Sequence, residues 1–443
     1  MNSPKKNSPK NSLAQAGSDA SDLLRHEESA KATLRMAALL ALLFALLYGA
    51  VPMASAQTET VLYTFCSLPY CEDGTTPAAG LTLDSYGNLY GAAQGGDSDF
   101  YGGVVFQLST KNKETEIFNF SAVQEGVAPN GALIRDSSGN IYGTTAGGGY
   151  DQGPCKGYFG CGLVYKLSNG DETVLYTFLG KSDGLEPNGG LVLDGKGNLY
   201  GTTYKGGGGG TVFKVSPEGT ETVLHRFAGG SKDGRYPSAG LVMDGDGNLY
   251  GTTSEGGGVN GDYLQGLACQ GDCGAVFELT AAGDEKILYA FKGWTKEDGA
   301  GPFASLILDS QGELYGTTYA GGTYGYGTVF KLTSAGEESV LYSFLGSPDG
   351  QFPASRLLMD SHGNLYGTTV FGGVYGYGTV FEISASGKET VLYNFTGGAD
   401  GAFPKDGLVM DGHGNLYGTT PMGGNFNESS CPYGCGVAFK VSP

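Results

Sequence analysis

Eight cysteines fall into four close pairs, Cys66 with Cys71, Cys155 with Cys161, Cys269 with Cys273 and Cys431 with Cys435, and none lies in the first 56 residues. An even count at local spacing suits disulfides that brace loops. Zinc is the competing chemistry, because two pairs can form a four-thiolate set, most plausibly Cys66 and Cys71 with Cys431 and Cys435. No pair has the C-x-x-C spacing of a redox centre. Nucleophilic catalysis lacks its parts: beyond the leader there are three histidines, His225, His362 and His413, and none joins a Ser or Cys in a converging set. Carboxylates could still do acid/base work, with Asp151, Asp262, Asp272 and Asp406 the available groups. Two arginines are anomalous, Arg135 and Arg356, because each replaces an apolar or small residue at a position that recurs along the chain. A structural ion pair is expected for each. Four tyrosines stand between glycines, Tyr324 and Tyr326, then Tyr375 and Tyr377. Such rings suit stacking on sugars or gripping a peptide, and equally suit packing their own hairpins. With the cysteines read as disulfides, no metal and no cofactor are expected.

The elements that must position these residues are set by a repeat. The phrase D-x-x-G-N-L-Y-G, or a near copy, starts at Asp84, Asp136, Asp194, Asp244, Asp309, Asp360 and Asp411, with spacings of 52, 58, 50, 65, 51 and 51 residues. A period of about 40 to 50 residues is that of a propeller blade, since one small sheet cannot bury both faces alone. Each unit resolves into four apolar stretches separated by Gly, Asp, Asn and Pro. In the third unit they run from Gly190 to Asp194, Asn198 to Thr203, Gly210 to Val215 and Thr222 to Phe227. G-L-V-L-D is apolar at consecutive positions, which fits a strand covered on both faces, so it belongs innermost. The expected fold is all-β: a seven-bladed β-propeller of four-stranded blades. The phrase beginning at Thr60 is of the fourth-strand type and the last phrase, ending at Val441, is of the third-strand type. Pairing them completes the seventh blade and removes two open edges. In the turns, Asp and Asn are read as backbone-bonding residues. Asp244 to Asn248 resembles part of a calcium loop but lacks its distal acidic ligand.

Residues 1–35 read as a disordered basic leader, and 36–56 as the apolar core and cleavage region of a secretory signal, with cleavage expected after Ala56. An uncleaved anchor is the alternative. Residues 57–443 form the propeller. Removing the leader takes six basic and four acidic residues from the whole-chain charge of −19, leaving −21. Such a surface disfavours nucleic acid and anionic membranes.

The unit G-x-x-P, G-L-x-x-D-x-x-G-N-L-Y-G-T-T, G-G, G-x-V-F-K, V-L-Y-x-F resembles the Gloeo/Verruco (GloVer) tandem repeat of exported bacterial proteins from Thr60 to Pro443. It is more broadly similar to NHL-type propeller repeats, which supports the strand order. The resemblance carries no assigned activity. Every cysteine and the long insertions fall in links from second to third strand or between blades, which share one rim. The expected function is therefore an exported, non-enzymatic propeller whose disulfide-braced loop face binds an extracellular glycan or protein, with Tyr324, Tyr326, Tyr375, Tyr377, Arg356 and Asp406 as contact residues. The alternatives are a propeller lyase or lactonase using carboxylates at the channel mouth, and a structural envelope or matrix component.

Overall fold

The computed structural model describes residues 58–77, 79–95, 102–121, 123–149, 152–156, 160–230, 232–258, 273–293, 298–426 and 431–442. The leader, its signal core and the cleavage point expected after Ala56 lie outside these residues. No helix among the described residues is long and apolar enough to cross a membrane.

Seven four-stranded antiparallel sheets follow one another along the chain. Blade 1 comprises Thr82–Leu83, Leu89–Gly95, Val104–Leu108 and Glu114–Asn119. Blade 2 runs through Val127–Arg135, Ile141–Gly147, Leu163–Ser168 and Asp171–Thr177, and blade 3 through Val192–Leu193, Leu199–Thr203, Thr211–Val215 and Glu221–Arg226. Blade 4 has Val242–Met243, Leu249–Thr253, Ala275–Leu279 and Glu285–Ala290; blade 5 has Ile307–Leu308, Leu314–Thr318, Thr328–Leu332 and Glu338–Ser343. Blade 6 has Leu358–Met359, Leu365–Gly372, Thr379–Ile383 and Glu389–Asn394. Blade 7 takes Val409–Met410, Leu416–Thr420 and Val437–Ser442 from the end of the chain and its outer strand, Thr58–Thr64, from the beginning. Thr58 pairs with Ser442 and Thr64 with Val437. The ring closes as the offset phrases predict.

Crowding at the axis explains the small residues that open the inner strands. A Cβ added at Gly240 would lie 2.7 Å from the carbonyl oxygen of Gly190 in the neighbouring blade, closer than packed atoms approach. Farther out, an aromatic ring from each outer strand meets the third-strand ring of the next blade edge to face. The pairs are Phe65 with Phe106, Phe120 with Tyr165, Phe178 with Phe213, Phe227 with Phe277, Phe291 with Phe330, Phe344 with Phe381, and Phe395 with Phe439, all at 5.0 to 5.1 Å. These rings are fully buried, so the core is seven repeated seams rather than one central mass.

The D-x-x-G-N segments are turns held by their aspartates. Asp244 Oδ1 accepts the amides of Asp246 and Asn248, both at 2.9 Å, while Oδ2 accepts the Asn248 side-chain amide at 2.8 Å and the Tyr250 hydroxyl at 3.1 Å. Asp411 is bonded in the same way. Burial alone would raise its carboxyl, but the bonds from Asn415 and His413 outweigh it and bring the group down to about 2. The calcium-like segment at Asp244 is thus one of seven equivalent turns. In the outer strands the apolar run V-L-Y hides a β-bulge: register slips between Val61 and Tyr63, and at the matching place in the other six blades. One outer-strand residue in each blade therefore stands without a partner in the third strand.

Candidate functional site

The connectors G-x-x-P build the loop rim. Each runs antiparallel to the exit of its own blade's second strand, as in Gly350 with Gly372 and Gln351 with Phe371, or Arg235 with Glu255. The residue just before the proline has a positive φ in all seven: Thr76, Ala128, Glu186, Tyr236, Gly301, Phe352 and Phe403, between 52° and 64°. For a β-branched or aromatic residue this conformation costs about 1–3 kcal/mol. What compensates is a hydrogen bond from the backbone amide. The Phe352 N–H donates to the Tyr326 carbonyl at 2.8 Å, Phe403 to Tyr377 at 2.9 Å, Tyr236 to Gly209 at 2.7 Å and Thr76 to Cys435 at 2.8 Å. Each blade is thereby clamped to the loop of the preceding one, and six of the seven pre-proline residues present a side chain on the rim.

Over blades 5 to 7 those side chains join a continuous aromatic shelf. Phe303 meets Tyr319 at 5.6 Å, Tyr319 stacks on Phe352 at 4.9 Å, Phe352 contacts Phe371 at 6.0 Å, and Phe371 contacts Phe403 at 5.1 Å. Tyr326 and Tyr377 buttress it against Phe352 at 5.8 Å and Phe403 at 5.6 Å. Phe303 is 41% exposed, Phe371 38% and Tyr377 39%, so part of each side chain reaches solvent. Tyr324 and Tyr375, at 55% and 58%, stand out from the rim beyond the shelf. The four glycine-flanked tyrosines therefore divide into two supports and two projecting rings.

Over blades 3 and 4 the rim is charged. Tyr204 and Tyr236 lie 5.2 Å apart, the Arg235 guanidinium is 4.3 Å from the Tyr236 ring centre, and Lys205 pairs with Glu186 at 3.0 Å and Arg235 with Glu255 at 3.7 Å.

At the axial end of the shelf, blades 6 and 7 break the repeat together. Arg356 occupies the small-residue place and its Cβ packs near Gly407, the residue after Asp406. The structural ion pair expected for Arg356 is not formed: its side chain reaches water, no carboxylate among the described residues pairs with it, and desolvation alone pulls its guanidinium below the usual range. Arg135 does have one, with Asp84 at 3.5 Å, and lies over the Tyr90 ring at 4.2 Å. Asp406 stands where other blades place Ala79, Ala239, Ala304 or Ser355. Its Oδ2 is buried without a hydrogen-bond partner among the described residues, and burial holds the carboxyl up to about 6 against the pull of exposed Lys405.

Three disulfides brace the rim, Cys66–Cys71, Cys155–Cys161 and Cys431–Cys435, and Cys273 is also disulfide-bonded. Cys269 lies outside the described residues, as do Tyr150, Tyr158, Phe159, Tyr263, Asp151, Asp262 and Asp272. The sulfurs of Cys66, Cys431 and Cys435 are within 4.8 Å of one another; the four-thiolate alternative had the right neighbours but the thiols are joined as local pairs. His362 and His413 lie in turns of the opposite rim, 82% and 88% exposed.

Sequence reading missed Phe303, Tyr319, Phe352, Phe371 and Phe403. A signal existed: in G-x-x-P the residue before proline varies freely within an otherwise regular repeat, and it is aromatic in three units.

The model of the Gloeobacter/Verrucomicrobia repeat matches residues 48–264 and 261–443. The chain belongs to this family. No curated protein matches it. Among solved structures it is similar to the extracellular domain of a one-component system from B. thetaiotaomicron, with 9% identity, a TM-score of 0.53, and 86% of this chain and 40% of that chain covered. It is also similar to a gluconolactonase from Xanthomonas campestris, with 14% identity, a TM-score of 0.41, and 87% and 90% covered. A third neighbour, a surface component of the type-IX secretion system of Porphyromonas gingivalis, has 13% identity, a TM-score of 0.46, and 82% and 46% covered. At these identities the likeness concerns the propeller fold alone, and membership of the repeat family brings no reaction with it.

Proposed function

We propose that this repeat-family protein is an exported, non-enzymatic propeller that binds an extracellular glycan across its loop rim. The observation that carries the reading is the aromatic shelf from Phe303 to Phe403, in which Phe352 and Phe403 are held at positive φ and hydrogen-bonded to the loop of the preceding blade. Flat apolar faces with hydroxyl-bearing tyrosines beside them suit the C–H faces of sugar rings, and a row of them suits a chain of sugars. Arg356 and Lys405, both reaching water at the axial end, supply positive charge in a protein that is otherwise strongly acidic, which favours a carboxylate- or sulfate-bearing polysaccharide. The apolar leader and the disulfides support export.

Asp406 supports a second reading. A half-buried carboxyl held up to about 6 by burial is suited to proton transfer, as a lyase or lactonase at the channel mouth would require. Affinity electrophoresis of residues 57–443 in gels containing neutral or acidic polysaccharides, with products assayed in parallel, separates the two. Retardation by acidic chains without product formation is expected. Turnover abolished by Asp406→Asn establishes the enzyme instead, and free passage through every gel removes the glycan reading.

A further inference from the structure

The outer strand of each blade carries an aromatic or imidazole residue at one equivalent place, next to the carboxylate of its exit connector. In five blades it is a tyrosine whose hydroxyl donates to that aspartate: Tyr63 to Asp73, Tyr176 to Asp183, Tyr289 to Asp298, Tyr342 to Asp349 and Tyr393 to Asp400, at 2.7 to 3.1 Å. Blade 1 has Phe118, and blade 3 alone has a histidine, His225. Its Nε2 lies 3.1 Å from Asp233 Oδ1. Glu285, the first residue of the outer strand of blade 4, completes a group whose three donor atoms lie within 4.8 Å of one another.

From this arrangement we infer that His225, Asp233 and Glu285 form a binding site for a divalent transition-metal cation, zinc being the best fit, at the seam between blades 3 and 4. Imidazole nitrogen with two carboxylate oxygens is a donor set that zinc and its neighbours accept. The 3.1 Å spacing between nitrogen and oxygen is close to the edge of a tetrahedron with metal–ligand bonds of about 2.0–2.1 Å. A second observation points the same way. Glu285 Oε1 is buried and has no hydrogen-bond partner among the described residues, so the site holds an acceptor that no protein donor satisfies. Among the described residues the corresponding glutamate oxygen is also unpartnered in the other six blades, but there no histidine accompanies it. Histidine is what turns a repeated carboxylate pair into a ligand set.

The surroundings fit a retained ion. The His225 ring packs edge to face on Phe227 at 4.8 Å, which orients it. Asp233 Oδ2 accepts the Ala228 amide at 2.6 Å and Oδ1 the Gly234 amide at 2.8 Å, fixing the carboxylate. Such supporting contacts raise affinity by holding ligands in place. His225 and Asp233 side chains are 20% and 16% exposed, leaving water access to a fourth position. The ion would tie the outer strand and exit connector of blade 3 to blade 4.

The test is zinc binding by chelator-stripped, disulfide-intact protein, measured by equilibrium dialysis with elemental analysis, with Co²⁺ absorption as a readout of nitrogen and oxygen ligation. One Zn²⁺ per chain and a raised Tm are expected. His225→Tyr installs the residue that five other blades carry, so it keeps the fold and loses both the stoichiometric metal and the Tm gain. Glu285→Gln, nearly isosteric, weakens binding at least tenfold and decides the matter should the first variant fold poorly. His362→Ala with His413→Ala leaves binding intact. Wild-type protein that takes up no metal overturns the site, and so does metal retained by His225→Tyr or lost only with the two exposed histidines.

Discussion

Tyr165 is the only tyrosine at a place where six blades have phenylalanine: Phe106, Phe213, Phe277, Phe330, Phe381 and Phe439. Its ring is fully buried against Phe120, and its hydroxyl has no hydrogen-bond partner among the described residues. An unsatisfied buried hydroxyl costs about 1–3 kcal/mol, so Tyr165→Phe is expected to stabilise the protein by about 1–2 kcal/mol in urea unfolding. A destabilised variant would reveal a hidden partner. The rim is decided at the same scale. Phe352 and Phe403 look like ordinary apolar connector residues in the sequence, and only their positive φ and the hydrogen bonds their amides donate to the Tyr326 and Tyr377 carbonyls turn the rings into one surface. Arg356 was legible as an anomaly, because it broke a small-residue column; its lack of a carboxylate partner was not, since that depends on which side chains the neighbouring blades present.

The outer strands carry a pH dependence. Each begins or nearly begins with a glutamate, Glu59, Glu114, Glu172, Glu221, Glu285, Glu338 and Glu389, and burial pushes every one up to about 7 from an ordinary value of 4.5. For Glu389 the next cause is Asp349 on the preceding connector, with Lys388 opposing. A carboxyl raised on folding binds its proton more tightly in the native state, so its contribution is complete below about pH 4.5 and is lost as pH rises through about 7. Glu389→Gln should therefore raise Tm over the parent at pH 8, with the difference shrinking towards pH 5. A difference independent of pH would contradict this seam. Strand identity and order were legible because D-x-x-G-N turns and consecutive apolar positions are local signals. The bulge at Leu62 and its six equivalents was not: V-L-Y reads as unbroken strand, and the slip arises from pairing with the third strand.

At the scale of the molecule, closure joins Thr58–Thr64 to Val437–Ser442 and seats Phe65 on Phe106 at 5.0 Å. Removing residues 57 to 66 should cost more than about 4 kcal/mol, since a buried phenylalanine alone is worth about 3–5. A deletion variant with the parent's denaturation midpoint would contradict the ring. Closure was readable from the complementary phrases at the two ends, whereas the ligand was not, because a rigid ring can carry many different surfaces. The claim that the aromatic shelf is the binding surface is tested most directly by calorimetric titration of Phe371→Ala, with His362→Ala as the opposite-rim control, against a polysaccharide that retards the parent. Phe371→Ala is expected to keep the parent Tm and lose about 1–2 kcal/mol of binding, roughly 5- to 30-fold, while His362→Ala binds as the parent does. Unchanged affinity in Phe371→Ala, or an equal loss in His362→Ala, would contradict it.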